Sequence, residues 1–499
     1  MSLSYNKASR LSIFLVASAI LAYFASLQFL FPTFFDPDSY YNIAVSKFIK
    51  ELGFHYKFHW AQFSTLKDSF SDRDLLLHIL NLPFLYLFGN GILAGKCAIV
   101  FYMALFIIVY LYVLRKYLLD FWVAIFLLLP FFSSIFSSYF LELRSATLVN
   151  ILLVSGIYCL INKKFWGIFL VSFLYALGHT SFFMIILFAL ICEALRYRAS
   201  GSFWLRNIYA SLAGAISGCL IHPDFPANLF NVYLNSILVP LYTIAGIDIG
   251  FSGETKALDI RSAMINNYAL ILALAISLCL SIFLRKKMSL ASRMWFCSSL
   301  VYLALASISM RYWYQANALF FVFFASYIYD WLKNKTGNIL IGLYLVIVLA
   351  VFPLSLRQLM AFTTYSTVRN SHYENVGRWM QKHIPPAQTI YHSYWDDASY
   401  FLYFNPKNDY LNTNDPIYMF YRYPVEFEIM NNLSLGRVGN PKEVISRIFK
   451  ANYGYLRKQE PLYRQIKESP RSFKIIYEDQ EGALFTILGT PLKPIGSRS

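Results

Sequence analysis

Apolar runs of about 20 residues, the length that spans the hydrocarbon core of a membrane, recur through the first 360 positions of this sequence. The first run, residues 11–31, follows Lys7 and Arg10 and is too long for the core of a signal peptide. We therefore predict a transmembrane helix there, with its N-terminus in the cytoplasm. Ten further spans are predicted near residues 95–114, 119–136, 146–162, 165–180, 182–195, 204–221, 265–284, 292–310, 314–331 and 338–358.

Residues 75–88 are also apolar, but this run is short and contains Pro83, which indicates an interfacial or re-entrant helix rather than a span. With that choice, basic side chains at alternate span ends all fall on the cytoplasmic side, as the positive-inside rule requires. These side chains are Arg115, Lys116, Lys163, Lys164, Arg196, Arg198, Arg285, Lys286, Lys287, Arg293, Lys333 and Lys335. The prediction is a multi-pass protein of the inner (cytoplasmic) membrane with about eleven transmembrane helices.

The opposite, periplasmic face then carries the outer loops 32–94, 137–145 and 222–264 and everything after about residue 360. Residues 361–499 are more charged, and their pattern predicts a soluble α/β domain. A helix over 372–384 stops at Pro385, and helices are predicted at 441–450 and 460–468. Strands are predicted at 389–393, 409–412, 453–457, 473–478 and 483–488. The chain therefore divides into a membrane module, 1–360, and an extracytoplasmic domain, 361–499.

The composition also indicates a membrane protein. The 499 residues are 58% hydrophobic and only 14% charged, which excludes an ordinary soluble enzyme, a disordered chain and a disulfide scaffold. The six cysteines lie in apolar segments without CxxC spacing, so neither a zinc site nor a disulfide framework is indicated. The net charge of +16 could suggest nucleic acid, but many basic residues mark span ends, and no nucleic-acid partner is predicted.

Two acidic clusters bound the first outer loop. Asp36 and Asp38 follow the first span, where a carboxylate can ligate a divalent cation or accept a proton, or can simply form an Asp-Pro turn. In the second cluster, Asp74 and His78 are four residues apart and would share a helix face, with Asp72 at the cap. Capping beside one interfacial histidine is the alternative there.

Three further groups lie on the predicted outer face. Glu142 and Arg144 stand between apolar spans, either as functional residues or as a structural ion pair. Arg311 directly follows a span, where it could hold a lipid phosphate or snorkel to the interface. The third group is Trp395, Asp396 and Asp397, which line a site at a strand end or cap the following helix.

No nucleotide-binding or hydrolase motif occurs in a supporting context. The order of features instead resembles the C-type glycosyltransferase (GT-C) superfamily, especially oligosaccharyltransferase catalytic subunits. Residues 38–42 are similar to the family's D-P-Y-Y-H or D-P-x-F-N element, and 140–144 lie where it has a second acidic motif, reduced here to Glu142. Residues 394–397 are similar to W-W-D-Y-G. Residues 72–78, 222–226, 311–320 and 395–416 also resemble uncharacterised bacterial membrane proteins described as glycosyltransferases.

The resemblance implies transfer of a sugar from a polyprenyl-phosphate-linked donor, at the bilayer, to an extracytoplasmic lipid, glycan or protein. Asp38 or Asp36 would be the base, Arg311 and Arg144 would bind the donor phosphate, and seven residues would orient the acceptor or a metal. Those seven are Asp72, Asp74, His78, Glu142, Trp395, Asp396 and Asp397. Asp36, Asp38, Asp74 and His78 are candidate ligands for Mg²⁺ or Mn²⁺, and metal dependence stays open. A transporter or flippase of lipid-linked sugars is the alternative function, although no inverted repeat is visible.

Overall fold

The computed structural model describes residues 2–283, 288–329 and 335–489, and the predicted topology markers Arg285, Lys286, Lys287 and Lys333 lie outside them. Most of this chain is helical. The α-helices of the membrane module and the helix that leaves it are Ser2–Leu30 (α1), Pro37–Leu52 (α2), Thr65–Asp68 (α3), Leu75–Leu87 (α4), Gly91–Leu114 (α5), Asp120–Leu128 (α6), Ser134–Tyr139 (α7), Ala146–Ile161 (α8), Phe165–Gly178 (α9), Phe183–Ser200 (α10), Leu205–Ile221 (α11), Ala227–Val232 (α12), Val239–Ile244 (α13), Ile260–Asn266 (α14), Tyr268–Phe283 (α15), Leu290–Ala306 (α16), Trp313–Ile328 (α17) and Lys335–His383 (α18).

Three described helices are long and apolar enough to cross a membrane, namely Leu11–Leu30, Gly91–Leu114 and Ile341–His383. A fourth span results if Ile260–Asn266 and Tyr268–Ile282, which meet at 90°, count as one broken helix. The shorter apolar helices run from Phe121–Phe132, with 12 residues, up to Leu205–Ile221, with 17, or about 18–26 Å at 1.5 Å per residue, which is less than a ~30 Å hydrocarbon core. The predicted count of about eleven spans is therefore not confirmed.

Small residues bring two of these short helices together. Gly214 and Gly218 of α11 are one turn apart and face the backbone of α9. A Cβ atom at Gly214 would lie 2.3 Å from the carbonyl oxygen of Phe169, and one at Gly218 would lie 2.6 Å from that of Phe173. This small-xxx-small spacing is typical of helix packing in membranes, where close backbone approach replaces the hydrophobic driving force.

The predicted extracytoplasmic domain, 361–499, which we call the outer domain, contains the helices Trp395–Phe404 (α19), Ile417–Arg422 (α20), Pro424–Ser434 (α21), Pro441–Arg447 (α22) and Pro461–Lys467 (α23). Its strands are Thr389–Tyr391 (β1), Asp409–Tyr410 (β2), Tyr453–Arg457 (β3), Phe473–Glu478 (β4) and Gly482–Ile487 (β5). They form one sheet in the order β2-β1-β3-β5-β4, parallel from β2 to β3 and antiparallel beyond it. All five predicted strands and the predicted 441–450 and 460–468 helices are confirmed, with ends shifted by up to three residues.

The outer domain is joined to the first outer loop. The amide of Tyr410 donates to the carbonyl of Trp60 at 2.6 Å, and the amides of Gln62 and Phe63 donate back to the strand β2 segment, each at 2.8 Å. The Trp60 indole also donates to the carbonyl of Pro406 at 2.7 Å. The loop thereby extends the sheet past β2.

Helix α18 connects the two parts of the chain without a break. It runs through residue 360, where the boundary between the predicted domains lies, and ends just before Pro385. Its outer half packs on α19, where a Cβ atom at Gly377 would lie 2.5 Å from Cβ of Phe404. Helix α19 in turn packs on α2, with the Tyr40 ring 5.0 Å from that of Tyr400. Helix α2, which begins with the first acidic cluster, is thus held in place by α18 and α19.

Candidate active site

Asp36 and Asp38 lie at the start of α2 and have different surroundings. Asp36 is the N-cap, and Pro37 is the first helical residue. The backbone amide of Ser39 donates to one oxygen of Asp36 at 3.0 Å, and the Ser39 hydroxyl donates to the other. Burial raises the pKa of Asp36 to about 7, and the charge of Asp38 adds to this rise. Asp38, in contrast, is 14% exposed and faces a neighbouring loop.

Hydrogen bonds fix the loop between α7 and α8 against the start of α2. The Leu143 amide donates to the Ser39 hydroxyl at 2.7 Å, and the Asn42 side chain donates to the Leu143 carbonyl at 2.7 Å. From α1, the Gln28 side chain donates to the Leu141 carbonyl at 2.7 Å. Bonds on both sides of residue 142 set the positions of Glu142 and Arg144 relative to Asp38.

The guanidinium of Arg144 is the centre of a carboxylate cluster. It lies 2.9 Å from Asp38, 3.1 Å from Glu142 and 2.8 Å from Glu254, and it covers the ring of Tyr139 at 5.4 Å. Glu254 comes from a 3₁₀ turn, Gly253–Thr255, in the outer loop 222–264. Three segments far apart in sequence therefore meet at one cation.

The three carboxylates share a single arginine, and their side chains are only 6–21% exposed. Burial raises the pKa of Asp38, and Arg144 opposes the rise. Burial also raises the pKa of Glu142 well above its ordinary value, with a further contribution from Asp36. For Glu254, burial acts in the same direction, but the guanidinium of Arg144 outweighs it and lowers the pKa. The cluster therefore contains acids that hold protons with different strengths.

Arg311 lies beside this cluster on the 3₁₀ turn Met310–Tyr312. The Ser309 hydroxyl donates to the Glu254 carbonyl at 2.7 Å, and the Met310 amide donates to the Lys256 carbonyl at 2.9 Å. The Nε of Arg311 is buried and has no hydrogen-bond partner among the residues that the structure describes. A buried N–H without a partner is costly, so this group is available to an anionic ligand.

The second acidic cluster is linked to the first through His78. Its Nδ1 lies 2.6 Å from Asp72, and its Nε2 lies 3.0 Å from the side-chain oxygen of Asn42 on α2. The prediction that Asp72 caps the helix is wrong: Asp74 is the N-cap of α4, and its amide donates to Asp72 at 3.0 Å. His78 pairs with Asp72 because the turn before α4 folds the Asp72 carboxylate back over the first turn.

Asp74 is bound from another direction. Its carboxylate lies 3.1 Å from Nε of Arg73, whose other nitrogens donate to Asn235 at 3.2 Å and to Asn414 at 2.8 Å. Ser145 donates to the same carboxylate, and the Arg73 charge contributes to lowering its pKa against the effect of burial. Arg73 thus ties the first outer loop to the loop 222–264 and to the outer domain.

Trp395, Asp396 and Asp397 form the first turn of α19, with Tyr394 as N-cap. Among the residues that the structure describes, these three form no hydrogen bond or ion pair with the Arg144 cluster, because both carboxylates face arginines of the outer domain. Arg457 lies 2.6 Å from each carboxylate, Arg369 also pairs with Asp396, and Tyr373 donates to Asp397. Only the Trp395 indole reaches the loop 222–264, at the Gly250 carbonyl 3.1 Å away.

The four predicted metal ligands do not fit a divalent cation in this arrangement. Both oxygens of Asp36 accept from Ser39, and both nitrogens of His78 are engaged. Asp38 and Asp74 pair with arginines. Within the described ranges 2–283, 288–329 and 335–489, no group of three or more His, Cys, Asp or Glu residues could hold a metal ion.

Sequence reasoning missed Glu254 and assigned no role to Arg73 or Asp224. Asp224 accepts from the Asp72 amide at 2.9 Å. Glu254 is one of four acids in its loop, and no spacing distinguishes it, since its partner is 110 residues away. The role of Asp36 as an N-cap does have a signal in the sequence, because Asp is favoured at the N-cap and Pro at the first helical position that follows it.

The fold is similar to that of solved GT-C glycosyltransferases. One similar solved structure is the archaeal oligosaccharyltransferase AglB from Archaeoglobus fulgidus in complex with an inhibitory peptide and a dolichol-phosphate. The TM-score is 0.59 at 10% identity, over 89% of this chain and 69% of that one. Another is ArnT from Cupriavidus metallidurans bound to undecaprenyl phosphate, with a TM-score of 0.57 at 11% identity, over 97% and 98% of the two chains. No protein-family model and no curated protein matches the sequence.

Proposed function

We propose that this protein is an integral-membrane glycosyltransferase that moves a sugar from a polyprenyl-phosphate-linked donor to an acceptor on the extracytoplasmic side. The observation that carries the proposal is the Arg144 cluster, in which Asp38 and Glu254 share one guanidinium and the turn next to Glu254 carries the unpartnered Nε of Arg311, in a fold similar to GT-C enzymes. The lipid phosphates named for AglB and ArnT support a donor of the same class here. The acceptor is a lipid, a glycan or a protein.

Asp38 is the better candidate for the base. Both oxygens of Asp36 are used to cap α2, whereas Asp38 keeps part of its carboxylate exposed. In a single displacement, the acceptor oxygen bonds to the anomeric carbon as the bond from that carbon to the phosphate oxygen breaks. The acceptor proton passes to Asp38, and the lipid phosphate leaves with the bonding electrons.

Arg311 supplies charge where the leaving group gains it. A guanidinium whose buried Nε–H is free can bind a phosphate oxygen more tightly as negative charge develops, which stabilises the transition state more than the ground state. Arg144 is less available for this role because three carboxylates already bind it. The phosphate-binding role predicted for both arginines therefore falls mainly to Arg311 in this proposal.

The test uses the purified full-length protein in liposomes with polyprenyl-phosphate sugars labelled in the sugar. Release of free lipid phosphate with transfer of label supports the proposal, and label crossing the bilayer on intact lipid favours the transporter alternative. Asp38→Asn should lower kcat by about 10²–10⁴-fold, the usual contribution of a general base. Asp36→Asn is the matched control, since Asn keeps one oxygen to accept from the Ser39 amide and is an equally good N-cap, so this variant should lose far less activity than Asp38→Asn. Normal turnover by Asp38→Asn would remove Asp38 as the base.

A further inference from the structure

We propose that Arg144 is a built-in cation that takes the position of a divalent metal, so that this protein acts without one. The inference rests on the proposed function for its effect on transfer, but its claim about cation binding does not. Arg144 is then a positioning residue, which holds Asp38 in place and ionised for its role as base.

The geometry of the cluster carries this inference. Asp38, Glu142 and Glu254 come from the start of α2, from the loop before α8 and from the loop 222–264, and they converge on one guanidinium within 2.8–3.1 Å. Acidic side chains brought together from separate segments are the usual ligands of Mg²⁺ and Mn²⁺. Here the space between them is filled by a side chain that stacks on Tyr139 and is fixed by its backbone neighbours.

The charges lead to the same conclusion. Three carboxylates this close repel one another unless a cation lies between them, and Arg144 supplies a permanent positive charge. A divalent ion in the same space would have to displace the guanidinium and leave it buried without a partner. The guanidinium and a divalent ion therefore cannot occupy this space together, and the protein supplies the guanidinium from its own sequence.

Removing the guanidinium should convert the cluster into a metal site. Mn²⁺ binding is measured by electron paramagnetic resonance on the full-length protein after removal of loosely bound metal. The wild type should retain no Mn²⁺, Arg144→Ala should retain one ion per chain, and Arg144→Ala combined with Glu254→Gln should lose it. Arg378→Ala is the matched control, because it frees Glu374 from an exposed ion pair and should retain none.

Two additional measurements keep the inference testable if Arg144→Ala does not fold. Arg144→Lys keeps a positive charge and should retain no Mn²⁺, and wild-type transfer should be unchanged by a chelator. Where Arg144→Ala does fold, its transfer should become dependent on Mn²⁺.

Three results would overturn the inference: one Mn²⁺ bound by the wild type and lost in Glu254→Gln, a folded Arg144→Ala without Mn²⁺, or wild-type transfer abolished by chelation and restored by Mn²⁺. Absence of transfer in every variant, with the expected Mn²⁺ pattern, would refute the proposed function and leave the cation assignment supported.

Discussion

Replacement of Arg457 by Met tests whether the Asp396–Asp397 pair is primarily part of an ion-pair network that stabilises the outer domain. Arg457 is the last residue of β3 and lies against the first turn of α19. Its Nε lies 3.0 Å from Asp397, and one of its terminal nitrogens lies 2.6 Å from each of the two carboxylates. Asp397 is fully buried, and its second oxygen has no partner among the described residues. Met keeps the length of the side chain but removes the charge.

The expected loss is about 3–4 kcal/mol, because removing one partner of a buried ion pair leaves an uncompensated charge. This corresponds to a roughly 100- to 1,000-fold larger population of molecules in which this part of the domain is locally unfolded. Tyr373 and Arg369 remain in place and keep the loss from being larger. Hydrogen–deuterium exchange of the α19 and β3 peptides in the full-length protein measures this opening free energy locally.

The loss of stability in Arg457→Met should depend on pH. Burial raises the pKa of Asp397 to about 6, above the ~3.9 of an unfolded Asp, so the folded state binds this proton more tightly. Stability from this group is therefore present below about pH 4 and is lost as pH rises through about 6. Without Arg457 the pKa rises further, and the deficit of Arg457→Met should be smaller at pH 5 than at pH 8.

Arg447→Met is the control, since Arg447 forms a largely exposed pair with Glu443 and should exchange like the wild type. Wild-type exchange in Arg457→Met, or a deficit that grows on acidification, would refute the reasoning. A selective rise in acceptor KM with unchanged exchange would instead assign the pair to acceptor binding, as the sequence analysis predicts.

Two further predictions concern the site and its support. Ser39→Ala removes a donor to Asp36 and the acceptor of the buried Leu143 amide, at a cost of about 1–3 kcal/mol. The Ser39→Ala variant should have a kcat lower by about tenfold or more with little change in donor KM, because the loop carrying Arg144 shifts. An unchanged kcat in the transfer assay would contradict this prediction. Gly377→Ala should cost about 1–3 kcal/mol in thermal unfolding, because its Cβ would overlap Phe404. Gly342, on the same helix, has open space for a Cβ atom, so Gly342→Ala should be neutral or slightly stabilising. Equal stability effects of Gly377→Ala and Gly342→Ala would argue against tight α18–α19 packing.

The outer domain was the most predictable part of the chain. Its strands are short apolar runs separated by Pro, Gly and Asp, and these local signals bound β4 and β5 to within a residue. Pro385 marked the end of α18 for the same reason, since a residue before Pro disfavours helix. The predicted span 338–358 and the predicted helix 372–384 are parts of this one helix, because no Gly or Pro lies between them, so the predicted boundary at residue 360 falls inside α18.

The span count was not predictable to the same degree. In helices that are apolar on every side, hydrophobic periodicity does not show which stretches are spans and which are buried short helices. Helix α4 shows the limit, because only its short length and Pro83 distinguish it from a span. The break between α9 and α10 lies where the predicted spans 165–180 and 182–195 meet, but no local signal predicts the 90° break within 260–282.

For the site, sequence reasoning identified most of the residues that meet, but not how they pair. Asp38, Glu142 and Arg144 were candidates because charge between apolar segments is costly. Their convergence with Glu254 depends on contacts across more than 100 residues, which no local pattern encodes. The different roles of Asp36 and Asp38 likewise depend on the Ser39 hydroxyl, which donates to Asp36 at the start of α2 and accepts from the Leu143 amide in the loop before α8.

The pairing of residues 60–63 with β2 also has a consequence for biosynthesis. A strand edge with free N–H and C=O groups is a template for aggregation, and β2 would be such an edge if the outer domain were made alone. The ribosome makes the first outer loop almost 350 residues before the strand that it covers. The covering segment is therefore already present when the sheet forms. A fragment that starts at residue 361 lacks it, and we expect that fragment to self-associate through β2 when it is expressed by itself.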